Sequence, residues 1–295
     1  MEGLVLVVGV SEDAGKTVLA ASLARALKDR GYDVTPVKPA GATEVWRSPY
    51  VLRESARRRV LVTADALVLE RYAHGIPIEE LNPVAAHLVP LSHLPYATNS
   101  ARGVAEIVPA FRTALLRVTE CPPGKGRSTQ HFVSSTLASA RQTRMVAGLL
   151  DVARLLSPEP SMLDVEEVAA ILSGPAADKA DTCLRKIIEE HGAVIVESNS
   201  DVAAPTKLSL EKASMVVVAA HGLVSAFPGD RWRLAVEVRV AGLPPWSVST
   251  DSVVKLLRPI AEVELPLLEE PDPELLASYL DPLVKAYERV GSGTV

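Results

Sequence analysis

The sequence predicts an α/β fold, a doubly wound and mostly parallel sheet with helices on both faces, and three observations predict it. Residues 4–9 form a continuous apolar run of strand length that leads through a glycine-containing loop into residues 16–29. There Val18, Leu19, Ser22, Leu23, Ala26 and Leu27 recur at helical spacing. Gly31 closes that helix and residues 33–38 supply a second short strand, completing a strand–helix–strand unit whose strands run parallel. Further on, apolar runs at 193–197, 215–220, 234–240 and 261–265 alternate with helical patterns at 165–172, 178–190 and 273–290. That alternation is expected of a sheet covered on both sides.

A chain of 295 residues with 48% apolar content can bury a large core, and residues 1–295 read as one elaborated domain. Two stretches do not read as core. Residues 45–59 and 119–161 are taken as insertions; 45–59 and 119–142 are polar, Arg-rich and mobile in character. The second contains Pro122-Pro123-Gly124-Lys125-Gly126-Arg127, which no strand precedes and no helix follows in the pattern, so it reads as a mobile loop rather than a second phosphate cradle.

A net charge of −5 argues against a nucleic-acid partner, which calls for a concentrated basic surface. No apolar run approaches the roughly 20 residues a bilayer crossing requires, so no membrane partner is expected. Cys121 and Cys183 sit in unrelated sequence contexts without metal spacing and read as structural thiols in a reducing, cytoplasmic setting. The six histidines, His74, His87, His93, His131, His191 and His221, show no zinc-ligand spacing. Only three Asn (Asn82, Asn99, Asn199) and two Gln (Gln130, Gln142) occur, a usage that suggests a thermophilic source.

The chemistry is concentrated in Gly9-Val10-Ser11-Glu12-Asp13-Ala14-Gly15-Lys16-Thr17. A glycine-rich turn between strand and helix aims backbone N–H groups and the positive end of the helix at a triphosphate. Gly9, Asp13, Ala14, Gly15, Lys16, Thr17 and Val18 are the nucleotide-binding candidates. Lys16 would reach the β- and γ-phosphates, and the Thr17 hydroxyl would ligate Mg²⁺. Five residues separate Gly9 from Gly15, one more than the common spacing. ATP and Mg²⁺ are thus the expected cofactors of a P-loop domain.

The longer spacing resembles dethiobiotin synthetase and its relatives among the cobyrinate-type amide-forming P-loop proteins. Val37-Lys38-Pro39, Ala64-Asp65-Ala66-Leu67, Asn82-Pro83 and Pro90-Leu91-Ser92-His93 are similar to family segments and follow the family order. So are Val194-Ile195-Val196-Glu197, Glu264-Leu265-Pro266-Leu267 and Ala277-Ser278-Tyr279-Leu280-Asp281. The resemblance implies that Asp65 and Glu197 complete the metal shell begun by Thr17. It implies that Lys38 joins Lys16 in neutralising a carbamate and the transferring phosphoryl group, and that Ser11 and Glu12 face substrate amines. It further implies a small carboxylate or diamine substrate, closure of a C–N bond and a homodimer.

Plainer readings exist for each residue. Lys38 also suits a solvated strand end, Asp65 the first turn of a helix, and Glu12 an exposed loop position. Glu197 ends an apolar strand at the carboxyl edge of the sheet, where α/β proteins place ligand sites. Two segments depart from the family. Ser198-Asn199-Ser200-Asp201 stands where a Gly-rich turn is usual, and Ala241-Gly242-Leu243-Pro244 follows 234–240 where the family carries a base-reading Asn. The runners-up are a cobyrinate-type amidating enzyme, which needs a nitrogen donor, and a partition-type ATPase switch, whose extra loop lysine is missing from residues 10–14.

Overall fold

The computed structural model describes residues 3–93, 109–240, 242–266 and 268–292. Its strands are β1 (Gly3–Gly9), β2 (Val34–Val37), β3 (Ala40–Glu44), β4 (Val84–Leu88), β5 (Thr113–Glu120) and β6 (Ser128–Ser134). They continue with β7 (Ser161–Leu163), β8 (Ala193–Glu197), β9 (Ala213–Ala220), β10 (Leu223–Pro228) and β11 (Ala261–Glu264). The first sheet runs β2-β8-β1-β9-β10-β11. Its four strands β2, β8, β1 and β9 are parallel, and β10 and β11 add an antiparallel margin.

β1 is central and entirely apolar because helices cover both faces. Helix α1 (Lys16–Asp29), the Ala64–Leu69 helix and the Asp281–Gly291 helix bury Leu19, Leu23, Leu27, Leu69, Leu283 and Tyr287 on one side. The Pro175–Glu190, Lys207–Lys212 and Gly229–Val240 helices bury Leu184, Ile187, Leu208, Trp232 and Val236 on the other. The doubly wound, mostly parallel architecture holds for this sheet.

Where one sheet was expected, the described residues form two. Beyond β2 the chain passes through Lys38-Pro39 into a five-stranded sheet of order β3-β4-β5-β6-β7. Here β3 and β4 are parallel, β5 is antiparallel to both neighbours, and β6 and β7 are parallel. The stretches read as insertions build much of it. The Tyr50–Arg58 and Arg144–Leu155 helices bury Val51, Val146, Leu149 and Val152 against one face. The Val165–Leu172 helix covers the other face with the first half of Pro175–Glu190, whose second half packs on the first sheet. Arg-rich composition concealed this, because Arg53 and Arg57 of the Tyr50–Arg58 helix and Arg154 of the Arg144–Leu155 helix are exposed while the apolar residues of the same helices face the sheet.

Other expectations are corrected. Residues 234–240 are the end of a helix, not a strand, although Trp232, Leu234, Val236, Val238 and Val240 alternate. The hairpin strand β10 already occupies the sheet position beside β9, and the helix turns Trp232 and Val236 inward while leaving Leu234 and Val238 exposed. The single helix expected over 273–290 divides into Pro273–Ala277 and Asp281–Gly291, with Pro282 at the start of the second. A strand does precede residues 122–127, which form the turn joining β5 to β6, with Arg127 paired to Glu79 at 3.2 Å. Ala241 and Leu267 lie outside the described residues.

The cysteines do not remain thiols. Cys121, just past β5, and Cys183, on the Pro175–Glu190 helix, form a disulfide across 62 residues of sequence. Folding brings the two contexts together in a way that spacing cannot show. Reducing this bond, or replacing both cysteines by serine, is expected to cost about 2–4 kcal/mol of stability. Thermal unfolding with and without reductant checks it, and coincident melting curves would refute it.

Candidate active site

The site is built where the carboxyl ends of β1, β2 and β8 meet the start of α1. Gly15 caps α1 with φ +81°, in the left-handed region where a side chain is disfavoured. Gly9 has a different reason to be glycine, since a Cβ there would stand 3.0 Å from both Ala14 Cβ and Lys16 Cδ. The absence of a side chain at Gly9 lets Lys16 fold back over the loop. Its Nζ donates to the carbonyls of Ser11 at 2.8 Å and Glu12 at 2.9 Å. Lys16 is 5% exposed, and burial, followed by the charge of Lys38, lowers its pKa.

Glu197 ends β8 opposite Val7 of β1 and is 1% exposed. Its Oε1 accepts from Thr17 Oγ1 at 2.7 Å and from Lys38 Nζ. Lys38, 3% exposed, also pairs with Asp65 Oδ2 at 2.7 Å. The ammonium therefore bridges two carboxylates. Burial alone would lower the pKa of Lys38, but Asp65 and Glu197 raise it instead. Burial pushes Glu197 up, and Lys38 only partly offsets this. Burial acts in the same sense on Asp65, but there Lys38 prevails and holds the carboxyl below its ordinary value.

Backbone contacts fix these groups. Lys38 N–H donates to Leu81 O at 2.8 Å, and Asn82 Nδ2 donates to Lys38 O at 2.8 Å. Thr63 caps the helix that carries Asp65 and donates its hydroxyl to Asn82 Oδ1 at 3.0 Å. Val10 N–H donates to Ala219 O at 3.1 Å, and Ser198 N–H to Val7 O at 2.8 Å, tying the phosphate loop and the Glu197 turn to the central strands. Within that turn Ser200 has φ +47°, so the chain keeps a glycine-like conformation where the Gly-rich turn is replaced.

Five sequence candidates, Lys16, Thr17, Lys38, Asp65 and Glu197, thus converge, while Gly9, Ala14, Gly15 and Val18 frame them. Glu12 and Asp13 are exposed, and Asp13 Oδ2 lies 3.9 Å from Arg47. Ser11 Oγ sits 3.3 Å from His221 Nε2, a neighbour that no sequence pattern indicated. Thr63 and Asn82 carry more of the geometry than their motifs suggested.

The oxygens suit Mg²⁺. Glu197 Oε2 is buried without a hydrogen-bond partner, beside the Thr17 hydroxyl and with Asp65 joined through Lys38. Mg²⁺ favours one or two carboxylates completed by substrate phosphates and water over an all-protein cage. Among the described residues no group of three or more His, Cys, Asp or Glu is placed to hold a metal.

No curated protein matches the chain. The family model for the CobQ/CobB/MinD/ParA nucleotide-binding domain, CbiA, matches residues 5–218. That span contains the phosphate loop, Lys38, Asp65 and Glu197 and most of both sheets, and the chain belongs to the CobQ/CobB/MinD/ParA family of nucleotide-binding domains.

Proposed function

We propose that the chain is a Mg·ATP-dependent carbon–nitrogen ligase that phosphorylates a carboxylate or carbamate and closes a C–N bond, resembling dethiobiotin synthetase. The observation that carries this reading is the second buried cation. Lys38 shares Glu197 Oε1 with Thr17 and lies close enough to Lys16 for the two charges to interact. Hydrolysis of a nucleotide needs the loop lysine and its metal, whereas transfer to an anionic acceptor also needs positive charge on the acceptor side.

In the proposed reaction the phosphate loop orients the triphosphate and Lys16 neutralises its terminal oxygens. Lys38 holds the acceptor oxygen, which attacks the γ-phosphorus as the bond to the β-phosphate bridge breaks, giving ADP and an acyl or carbamoyl phosphate. An amine then displaces inorganic phosphate and loses a proton to close the C–N bond. Thr17, Glu197 and Asp65 would hold Mg²⁺, which when bound supplies charge neutralisation at the phosphates.

A cobyrinate-type amidation is less well supported. Among the described residues neither cysteine is free to serve a glutaminase, so ammonia or a separate subunit would supply nitrogen. A partition-type switch lacks its extra lysine in residues 10–14. The proposed setting is cytoplasmic and the proposed assembly a homodimer. No helix among the described residues is long and apolar enough to cross a membrane. The disulfide accords with a heat-adapted source, where such bonds persist inside cells.

The test is ADP release from MgATP at high temperature, with and without diaminopelargonate plus bicarbonate. Stimulation that vanishes in Lys38→Met, assayed below the melting temperature of that variant, supports the reading. Tight nucleotide binding without stimulation excludes that substrate and turns the search to other carboxylates.

A further inference from the structure

The second sheet buries a guanidinium that the proposed reaction does not use. Arg117 on β5 is 0% exposed and pairs in register with His131 of β6 and Ala85 of β4. Its Nη1 donates to Leu61 O at 2.5 Å and its Nη2 to Asn82 O, while Nε has no partner. Burial lowers its pKa to about 10, which leaves it charged at neutral pH. His87 and His131, both pushed to about 4 by burial, remain neutral beside it.

These side chains together clamp one stretch of backbone. Leu61 N–H donates to His131 Nε2 at 3.3 Å, and His131 Nδ1 faces Pro158 O at 3.1 Å. Val62 N–H donates to Ser55 Oγ at 3.1 Å, and Val62 O accepts from His87 Nε2 at 2.8 Å. The next residue, Thr63, caps the helix that carries Asp65. The other arm of the Arg117 fork holds Asn82, whose amide grips Lys38 O. A single guanidinium therefore spans the segment leading to Asp65 and the residue that clamps Lys38.

Desolvating a charge to bind two neutral carbonyls is costly, and an apolar residue would fill the same core more cheaply. We propose that Arg117 is a positioning residue that sets Asp65 and Lys38 through Leu61 and Asn82, coupling the second sheet to the nucleotide site. The functional part of this inference rests on the reading that Asp65 and Lys38 serve that site.

The experiment compares Arg117→Met, Arg117→Lys and Asp65→Ala in the full chain. Hydrogen exchange is followed by peptide, and ATP affinity is measured with Mg²⁺ and with EDTA. In Arg117→Met, exchange is expected to accelerate over 61–66 and 82–84 but not over 9–17. The factor by which Mg²⁺ strengthens ATP binding should fall about tenfold, as for outer-shell partners of metal ligands. Affinity in EDTA should stay within about twofold, since the phosphate loop itself is untouched. Arg117→Lys keeps the charge but not the fork and should restore part of the Mg²⁺ gain.

Equal loss of both affinities with faster exchange throughout β4, β5 and β6 would mean a role in the core alone and overturn the proposal. So would unchanged exchange with an unchanged Mg²⁺ gain. Should Arg117→Met fail to fold, Arg117→Lys decides by the same two readouts. If Asp65→Ala keeps the full Mg²⁺ gain while Arg117→Met loosens 61–66 and 82–84, the metal role of Asp65 fails and the positioning role stands.

Discussion

Lys38→Met is expected to lower stability by about 3–5 kcal/mol, the usual cost of removing one partner from a buried ion pair. The loss arises because Glu197, 1% exposed, keeps its hydrogen bond from Thr17 but loses the only cation that contacts it among the described residues. Asp65 contributes less to the deficit, since its side chain is 36% exposed and water screens part of its pairing. Chemical denaturation in the absence of nucleotide measures the effect. A variant within about 1 kcal/mol of the parent would show that the ammonium does not compensate Glu197.

The pH dependence of that deficit has a definite sign. Burial already holds the Glu197 pKa above its ordinary value, and removing Lys38 raises it further. A carboxyl raised on folding contributes stability that is present below the unfolded value and is lost as pH rises through the folded one. Asp65 is lowered on folding by Lys38, so its contribution is present above the unfolded value and lost as pH falls through the folded one. The variant lacks that contribution. Both effects make the gap between parent and variant widest near neutral pH and narrowest in acid, below the ordinary carboxylate range. A gap that grew in acid would contradict the assignment of charges. In turnover, the same substitution should cost about 10²–10³, as for loss of one preorganised electrostatic group.

How much of this was legible in the sequence depends on the range over which each feature is encoded. The phosphate loop, β1 and α1 are contiguous, and an apolar strand opening on Gly15-Lys16-Thr17 specifies its own geometry. Glu197 was legible for a related reason, because a charge ending the buried run 193–196 must lie at a sheet margin. The second sheet was not legible. It forms from β3 and β4 with β5 to β7, and the polar, largely half-exposed run Ser128–Ser134 of β6 reads as loop. Residues 234–240 misled in the opposite way, since their alternation fits a strand and only the occupied sheet margin makes them a helix. Arg117 gave no signal at all. In sequence it is one charge in a strand, and its role depends on carbonyls 35 and 56 residues away.

Lys16→Ala should show the reverse pattern to Lys38→Met. Lys16 Nζ is held by the carbonyls of Ser11 and Glu12, and to reach a triphosphate it exchanges them for phosphate oxygens. Those carbonyls belong to partly exposed or exposed loop residues that water can satisfy once the lysine is gone. Stability in the absence of nucleotide should therefore change by no more than about 1 kcal/mol. The ammonium itself is 5% exposed and desolvated, so its attraction for phosphate is stronger than that of a surface lysine. MgATP affinity is expected to fall about 10²–10³ and turnover to disappear, because charge on the β- and γ-oxygens is left uncompensated. Calorimetric titration beside a thermal melt separates the two lysines. Lys16→Ala should melt like the parent and bind poorly, whereas Lys38→Met should melt early and retain nucleotide affinity within about tenfold. Both variants losing stability equally, with affinity preserved in Lys16→Ala, would place the phosphate contact on another group. Division of labour between a lysine that meets the nucleotide and one held by carboxylates for the acceptor requires the opposite result.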